Sequence, residues 1–358
     1  MRTILLNPGP VTLSDAVCNA LPGPDLCHRE PEFFDMQDRV REKLLAVYDL
    51  DPAHWATVLL SGSGTAAMEA MISSLVPEDG KLLVIENGVY GERLSRIAEI
   101  HGIDFEALNY AWGEKIDPDI VADFFTQHTD ISHLAVVQHE TTTGRLNDIP
   151  ALLAVCKKAG VRMLLDGVSS FGAEAIDYTE SLDAVAATAN KCLHGIPGLA
   201  FVIVRRSALE YAPELPRTLY LNLPRYCELQ DQHSVPFTPA VPAYTGLEAA
   251  LDEMAEQGGW RSRRNRYRQL SGIVENKLVK MGVVPLMTTT ESSCVLRAWR
   301  LPSGMTYQQL HDNLKENGFI IYAGQGGFAA EMFRISTMGD ISDDDINRLI
   351  QALEQALS

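Results

Sequence analysis

The sequence predicts an α/β fold, a large unit with a mainly parallel sheet covered on both faces, followed by a smaller α+β unit. Three observations point there. Short apolar runs alternate with helical stretches from about residue 57 to residue 205, the pattern of buried strands joined by crossover helices. The 358 residues exceed what a single hydrophobic core usually accommodates. Past Pro236–Pro242 the alternation gives way to a long helical stretch and then to a mixed pattern.

The elements follow in order. Val58-Leu59-Leu60 ends at the glycine-rich turn Ser61–Thr65 and leads into the helical composition of Ala66–Leu75. Leu82–Ile85 precedes the turn Asn87-Gly88 and a second helical stretch, and Leu134–Val137 leads to the polar cluster Thr141–Thr143. Pro150–Gly160 reads as a helix closed by its glycine, and the run Val161–Leu165 then ends in Asp166. Ala184–Ala189 and Leu199–Val204 flank Lys191. Tyr244–Met281 reads as one long connecting helix. Beyond it, the runs at Cys294–Leu296, Phe319–Ile321 and Met332–Ile335 interleave with helical patterns at Tyr307–Asn317 and Asp343–Leu357. The expected division is 1–245 for the large unit and 246–358 for the connector and small unit, with the N-terminal segment shared between them.

Composition excludes several function classes. Hydrophobic residues at 46% and charged residues at 22% fit an ordinary globular protein. With 47 acidic against 30 basic residues the formal charge is −17, which opposes nucleic acid and anionic membrane as partners. The six cysteines are scattered without CxxC pairing or a Cys/His cluster, so neither a metal site nor a disulfide framework is expected. No apolar run reaches membrane-spanning length, and the N-terminal run is too short for a signal peptide; a soluble cytoplasmic protein is the expectation.

In sheets of this kind ligands collect beyond the carboxyl ends of the strands, so the polar residues that follow apolar runs are the first candidates. The turn Ser61-Gly62-Ser63-Gly64-Thr65 lies between a strand and a helix, where free backbone amides attract an anion. An ordinary Ser/Thr helix cap accounts for it equally well, and without the Gly-Lys-Ser/Thr ending it is not an ATP-binding loop. Asp166 ends a strongly apolar strand, where a carboxylate needs a strong partner; taken alone, a turn-forming aspartate is the simpler account. Lys191 sits among residues that cannot hydrate an ammonium, which exposes a nucleophilic amine, although a snorkelling loop lysine is the alternative. Together the three match what pyridoxal phosphate requires: an amine for the imine, a carboxylate for the ring nitrogen, and a cradle for the phosphate.

Several segments carry a resemblance. They are Asn7–Pro10, His28–Phe33, Ser61–Thr65, Asn87–Arg93, His139–Gly144, Ser169–Gly172, Ala189–Gly198 and Phe333–Ile335, spread in order over almost the whole chain. In these the sequence resembles the class V aminotransferases of pyridoxal-phosphate fold type I, and among them the 2-aminoethylphosphonate:pyruvate aminotransferases. The resemblance implies that Lys191 holds the cofactor as a Schiff base and that Asp166 binds the pyridinium nitrogen. It implies that Ser63, Gly64, Thr65 and Asn190 hold the phosphate with Thr238 of a neighbouring subunit, hence a homodimer with shared sites. Tyr90 would stack on the ring, Val168 would pack on its other face, and Thr141 would bond the ring hydroxyl. Arg334 would pair with the substrate acid group, with Arg29 adding charge near a phosphonate. The implied substrates are a small amino donor and pyruvate. Other class V aminotransferases, acting on alanine and glyoxylate or on serine and pyruvate, would share every cofactor residue. A cysteine desulfurase would need a cysteine on a mobile loop, whereas Cys294 lies in an apolar run that reads as strand. A non-catalytic binding protein would show a lesion at Lys191 or Asp166, and both residues are present.

Overall fold

The computed structural model describes residues 2–357. Strands β1 (Trp55–Gly62), β2 (Lys81–Glu86), β3 (Phe105–Asn109), β4 (Ile131–Val137), β5 (Arg162–Asp166), β6 (Leu182–Thr188) and β7 (Gly198–Arg205) form one sheet in the order β1-β7-β6-β5-β4-β2-β3. All but β7 run the same way; β7 is antiparallel to both of its neighbours, β1 and β6.

Side chains alternate along these strands, so each face meets its own set of helices. Leu59, Leu83, Ile85 and Leu165 pack against helices Pro31–Ala46, Pro118–Gln127, Ile149–Ala159 and Val241–Glu256. Val58, Leu60, Val84 and Leu164 pack against helices Gly64–Leu75, Val89–Ile100 and Leu223–Asp231. Each such Val, Leu or Ile contributes about 1.5–3 kcal/mol by leaving water, and that burial on both faces is why the strands read as continuous apolar runs.

A second, antiparallel sheet joins β8 (Leu296–Arg300), β9 (Tyr322–Ala323) and β10 (Met332–Ser336) in the order β8-β10-β9. Its core gathers Trp299 and Phe333 with Leu270, Val274 and Leu278 of helix Gly259–Lys280, and with Ile346 and Leu349 of helix Asp343–Leu357. Ile4 and Leu6 belong to this core as well, because Ile4–Leu5 pairs in parallel with Phe319–Ile320.

Three sequence expectations need correction. The connector is two helices, Val241–Glu256 and Gly259–Lys280, because Gly258 (φ +92°) and Gly259 (φ +75°) take left-handed backbone that ends the first and turns the chain. β3 has no counterpart among the expected strands: it lies at the sheet edge, half-exposed, and lacks an apolar run. Cys294 lies in a buried bend just ahead of β8 rather than inside the strand. Among the described residues no helix is long and apolar enough to cross a membrane, and no group of three or more His, Cys, Asp or Glu could hold a metal ion.

Candidate active site

Because β1, β2, β4, β5 and β6 point the same way, the residues that follow them leave the sheet along one edge. That edge gathers Ser63, Tyr90, Thr141, Asp166 and Lys191.

Lys191 is half-buried just beyond β6, and its Nζ donates to the Pro8 carbonyl at 2.5 Å. Burial pushes its pKa below the usual lysine value. The strap Asn7–Pro10 lies directly on it. Gly9 (φ +112°) packs against the lysine stem so closely that a Cβ there would sit 3.1 Å from Lys191 Cδ. Only glycine combines that backbone with that contact.

Asp166 is 3% exposed at the end of β5. Its Oδ1 accepts the Val168 N–H at 2.9 Å, while Oδ2 has no hydrogen bond among the described residues. Burial raises its pKa to about 6, against the opposing pull of the Val168 N–H and of the Lys191 and Arg93 charges. The turn-forming role anticipated as the simpler account is therefore present, but it uses only one oxygen. A carboxylate so desolvated gains most from a cation placed at the other.

The Val168 turn meets the helix Gly64–Leu75 at its start, where a Cβ on Gly64 would lie 2.6 Å from Val168 Cγ1. Ser63 occupies the N-cap position of this helix, yet its side chain makes no cap bond. The amides of the first turn are thus left open to a ligand, which separates this turn from the ordinary capped one. Thr65 Oγ1 accepts from Arg93 Nη1 at 3.3 Å, and Asn190 Oδ1 accepts from Thr188 Oγ1 at 2.8 Å.

Tyr90 stands in the first turn of helix Val89–Ile100, which has no cap of its own. Glu140, fully buried, serves instead: its carboxylate accepts the N–H of Tyr90 at 3.2 Å, of Gly91 at 3.4 Å and of Thr142 at 3.1 Å, and the Thr142 hydroxyl at 2.6 Å. Burial still lifts its pKa to about 7. Sequence reasoning assigned Glu140 no role. The available signal was a helix opening at Asn87-Gly88-Val89 without a Ser, Thr or Asp cap.

Arg334 on β10 is 2% exposed and forms no ion pair among the described residues. Its Nε donates to Ala323 O and its Nη1 to Thr141 O, each at 2.8 Å, with Gln325 Oε1 at 3.4 Å from Nη1. Backbone carbonyls from both sheets' surroundings therefore fix the guanidinium without neutralising it, and Nη2 has no partner among the described residues. Burial lowers its pKa, while Tyr90 and Glu140 act to keep it charged. An aimed, uncompensated guanidinium suits an anion.

Two expected residues lie apart from this group. Arg29 is exposed and donates to Val235 O at 3.0 Å, and Thr238 Oγ1 lies 3.4 Å from His28 Nε2. No hydrogen bond joins either to Ser63, Gly64, Thr65 or Arg334; they sit beside one another.

A sequence profile described as aminotransferase class-V matches residues 18–349. The chain belongs to the class V aminotransferase family. It is 35% identical over 358 residues, 99% of this chain and 98% of the other, to a Bacillus cereus protein named 2-aminoethylphosphonate–pyruvate transaminase. A Bacteroides fragilis protein of the same name is 32% identical over 357 residues, 98% of each chain. Among solved structures, an aspartate aminotransferase of subgroup IV from Thermus thermophilus superimposes with a TM-score of 0.90 at 28% identity, covering 99% of each chain. Membership of the class V aminotransferases implies pyridoxal phosphate as cofactor, and the residues present fit it. The half-satisfied Asp166, the open helix start with no room for a Cβ at Gly64, and the desolvated Lys191 amine each lack what that group would supply.

Proposed function

We propose that this chain transfers the amino group of 2-aminoethylphosphonate to pyruvate, giving phosphonoacetaldehyde and L-alanine. Within the structure, one observation supports it most: Arg334, buried, held by carbonyls and unpaired, offers a fixed cation for the acid group that donor and acceptor share. The relatives so named match this chain over nearly its full length.

The cofactor, when bound, supplies an electron sink for the carbanion left when the donor carbon loses its proton. The chain's own residues do the rest. Lys191 would attach the cofactor, and its neutral amine, which burial keeps available by lowering its pKa, would be the base that moves the proton. The Pro8 carbonyl orients Nζ through the bond the structure records. Asp166 would hold the ring nitrogen protonated, and its own desolvation would strengthen that pairing. Ser63, Gly64, Thr65 and Asn190 would hold the phosphate, with Tyr90 and Val168 beside the ring and Thr141 at its hydroxyl. Arg334 binds the phosphonate in the first half-reaction and the pyruvate carboxylate in the second. Arg29 and Thr238 reach the site from the neighbouring subunit of a homodimer; their placement side by side supports a shared origin.

An absorbance titration tests the assignment. The purified protein with pyridoxal phosphate should be yellow, bleach on addition of 2-aminoethylphosphonate, and regain its colour with pyruvate. Colourless protein would end the enzyme reading, whereas bleaching by alanine but not by the phosphonate would move the donor to another class V substrate.

A further inference from the structure

Arg93 lies one turn beyond Tyr90 on the helix Val89–Ile100. Its guanidinium carbon stands 4.7 Å from the centroid of the Tyr90 ring, and its Nη1 donates to Thr65 Oγ1 at 3.3 Å. No carboxylate pairs with it among the described residues; the adjacent Glu92 accepts instead from Trp112 Nε1 at 2.6 Å. Among those residues it is also the one Lys or Arg side chain hydrogen-bonded to Ser63, Gly64 or Thr65. Its charge also pulls the Asp166 carboxyl downward, against the effect of burial.

A phosphate monoester carries about −1.5 to −2 charges near neutrality, and a helix N-terminus offers the equivalent of roughly +0.5. Serine and threonine hydroxyls add hydrogen bonds but no charge. In a chain with a formal charge of −17, about one negative charge or more would remain unbalanced without a local cation. Lys191 is committed to Pro8 O, and Arg334 is fastened at Thr141 O. We propose that Arg93 is the cationic partner of the cofactor phosphate at the start of the helix Gly64–Leu75. This rests on the pyridoxal-phosphate reading above. The planar fork lets one side chain lie over Tyr90 and still donate to Thr65 and to a phosphate oxygen.

The test separates the phosphate from the ring. The full chain, freed of cofactor, is titrated with pyridoxal phosphate and with pyridoxal, which has no phosphate, and binding is followed by visible absorbance. Arg93→Gln should weaken pyridoxal phosphate by about 10- to 100-fold, the worth of a charge-assisted hydrogen bond, and leave pyridoxal within about threefold. Arg93→Lys keeps the charge and should retain most of the preference for the phosphorylated form. Equal weakening of both ligands would mean that Arg93 acts only through Tyr90 or the fold, and would overturn the proposal; so would unchanged binding of pyridoxal phosphate. Should the glutamine variant fail to fold, loss of the phosphate preference in the lysine variant would overturn it as well. Failure of the wild type to bind pyridoxal phosphate would strike the cofactor reading itself.

Discussion

Asp166 shows how one side chain can serve both a local and a distant demand. Its Oδ1 closes the turn to Val168 at 2.9 Å, and its Oδ2 is left for a partner. Without that partner its pKa stands at about 6, against 3.8 for an ordinary aspartate. Between those values the native chain keeps a proton that the unfolded chain has released, so stability falls as pH rises through that window. The loss is on the order of 3 kcal/mol. Glu140 acts in the same direction up to about pH 7. The cofactor-free protein should therefore melt at lower temperature at about pH 7 than at about pH 4 as far as these groups are concerned. Asp166→Asn, which still accepts from Val168 but does not titrate, should show a shallower decline. Melting curves with identical pH slopes would remove Asp166 from this role. Asp166 and Lys191 were legible because each ends or follows an apolar run, a local pattern. Gly9, Glu140 and Arg93 were not, because their partners Lys191, Tyr90 and Thr65 lie on distant segments, and no spacing in the sequence encodes such contacts.

At the scale of elements, Glu140 links the end of β4 to the first turn of helix Val89–Ile100. It does from outside what a serine or aspartate cap does from within. The fit is close: a Cβ on Gly88 would lie 2.3 Å from Glu140 Cδ. Glu140→Ala would strand the Tyr90 and Gly91 amides and the Thr142 hydroxyl in a buried setting. A loss of about 1–3 kcal/mol is expected, the usual cost of unsatisfied buried donors. Urea denaturation measures it directly, and an unchanged midpoint would show that water replaces the carboxylate. The loss should be larger at acid than at alkaline pH, because burial raises the Glu140 pKa to about 7 and the native chain holds its charged form at a cost. The connector illustrates what periodicity misses at this scale. Apolar spacing alone ran across Tyr244–Met281, and only the left-handed backbone of Gly258 and Gly259 divides it into two helices.

Over the whole molecule, the alternation of strand and helix sufficed to anticipate the α/β class, because burial on both faces forces apolar runs. What alternation leaves open is the surface. Leu215 is 80% exposed, Leu219 82% and Tyr211 69%. The same stretch of chain reaches the active edge at Tyr220, whose ring packs at a tilt against Phe237 with 5.1 Å between centroids and whose hydroxyl lies 3.4 Å from Ser61 O; Thr238 follows Phe237 directly. Leaving several large apolar side chains in water forgoes about 1.5–3 kcal/mol each, and exposed apolar side chains clustered in one stretch of chain suit a surface for association. A second copy seated there would bring its own residues to the phosphate cradle, as the proposed sharing of Thr238 requires. Sedimentation of the wild type should give a dimer. Leu215→Asp combined with Leu219→Asp should shift it toward monomer and weaken pyridoxal phosphate binding by about tenfold or more, since part of the cradle departs with the partner. A double variant that stays dimeric and binds the cofactor as tightly as the wild type would place the interface elsewhere. A monomer with undiminished binding would instead show that each chain builds its phosphate site alone, with Thr238 left at His28 where this chain holds it.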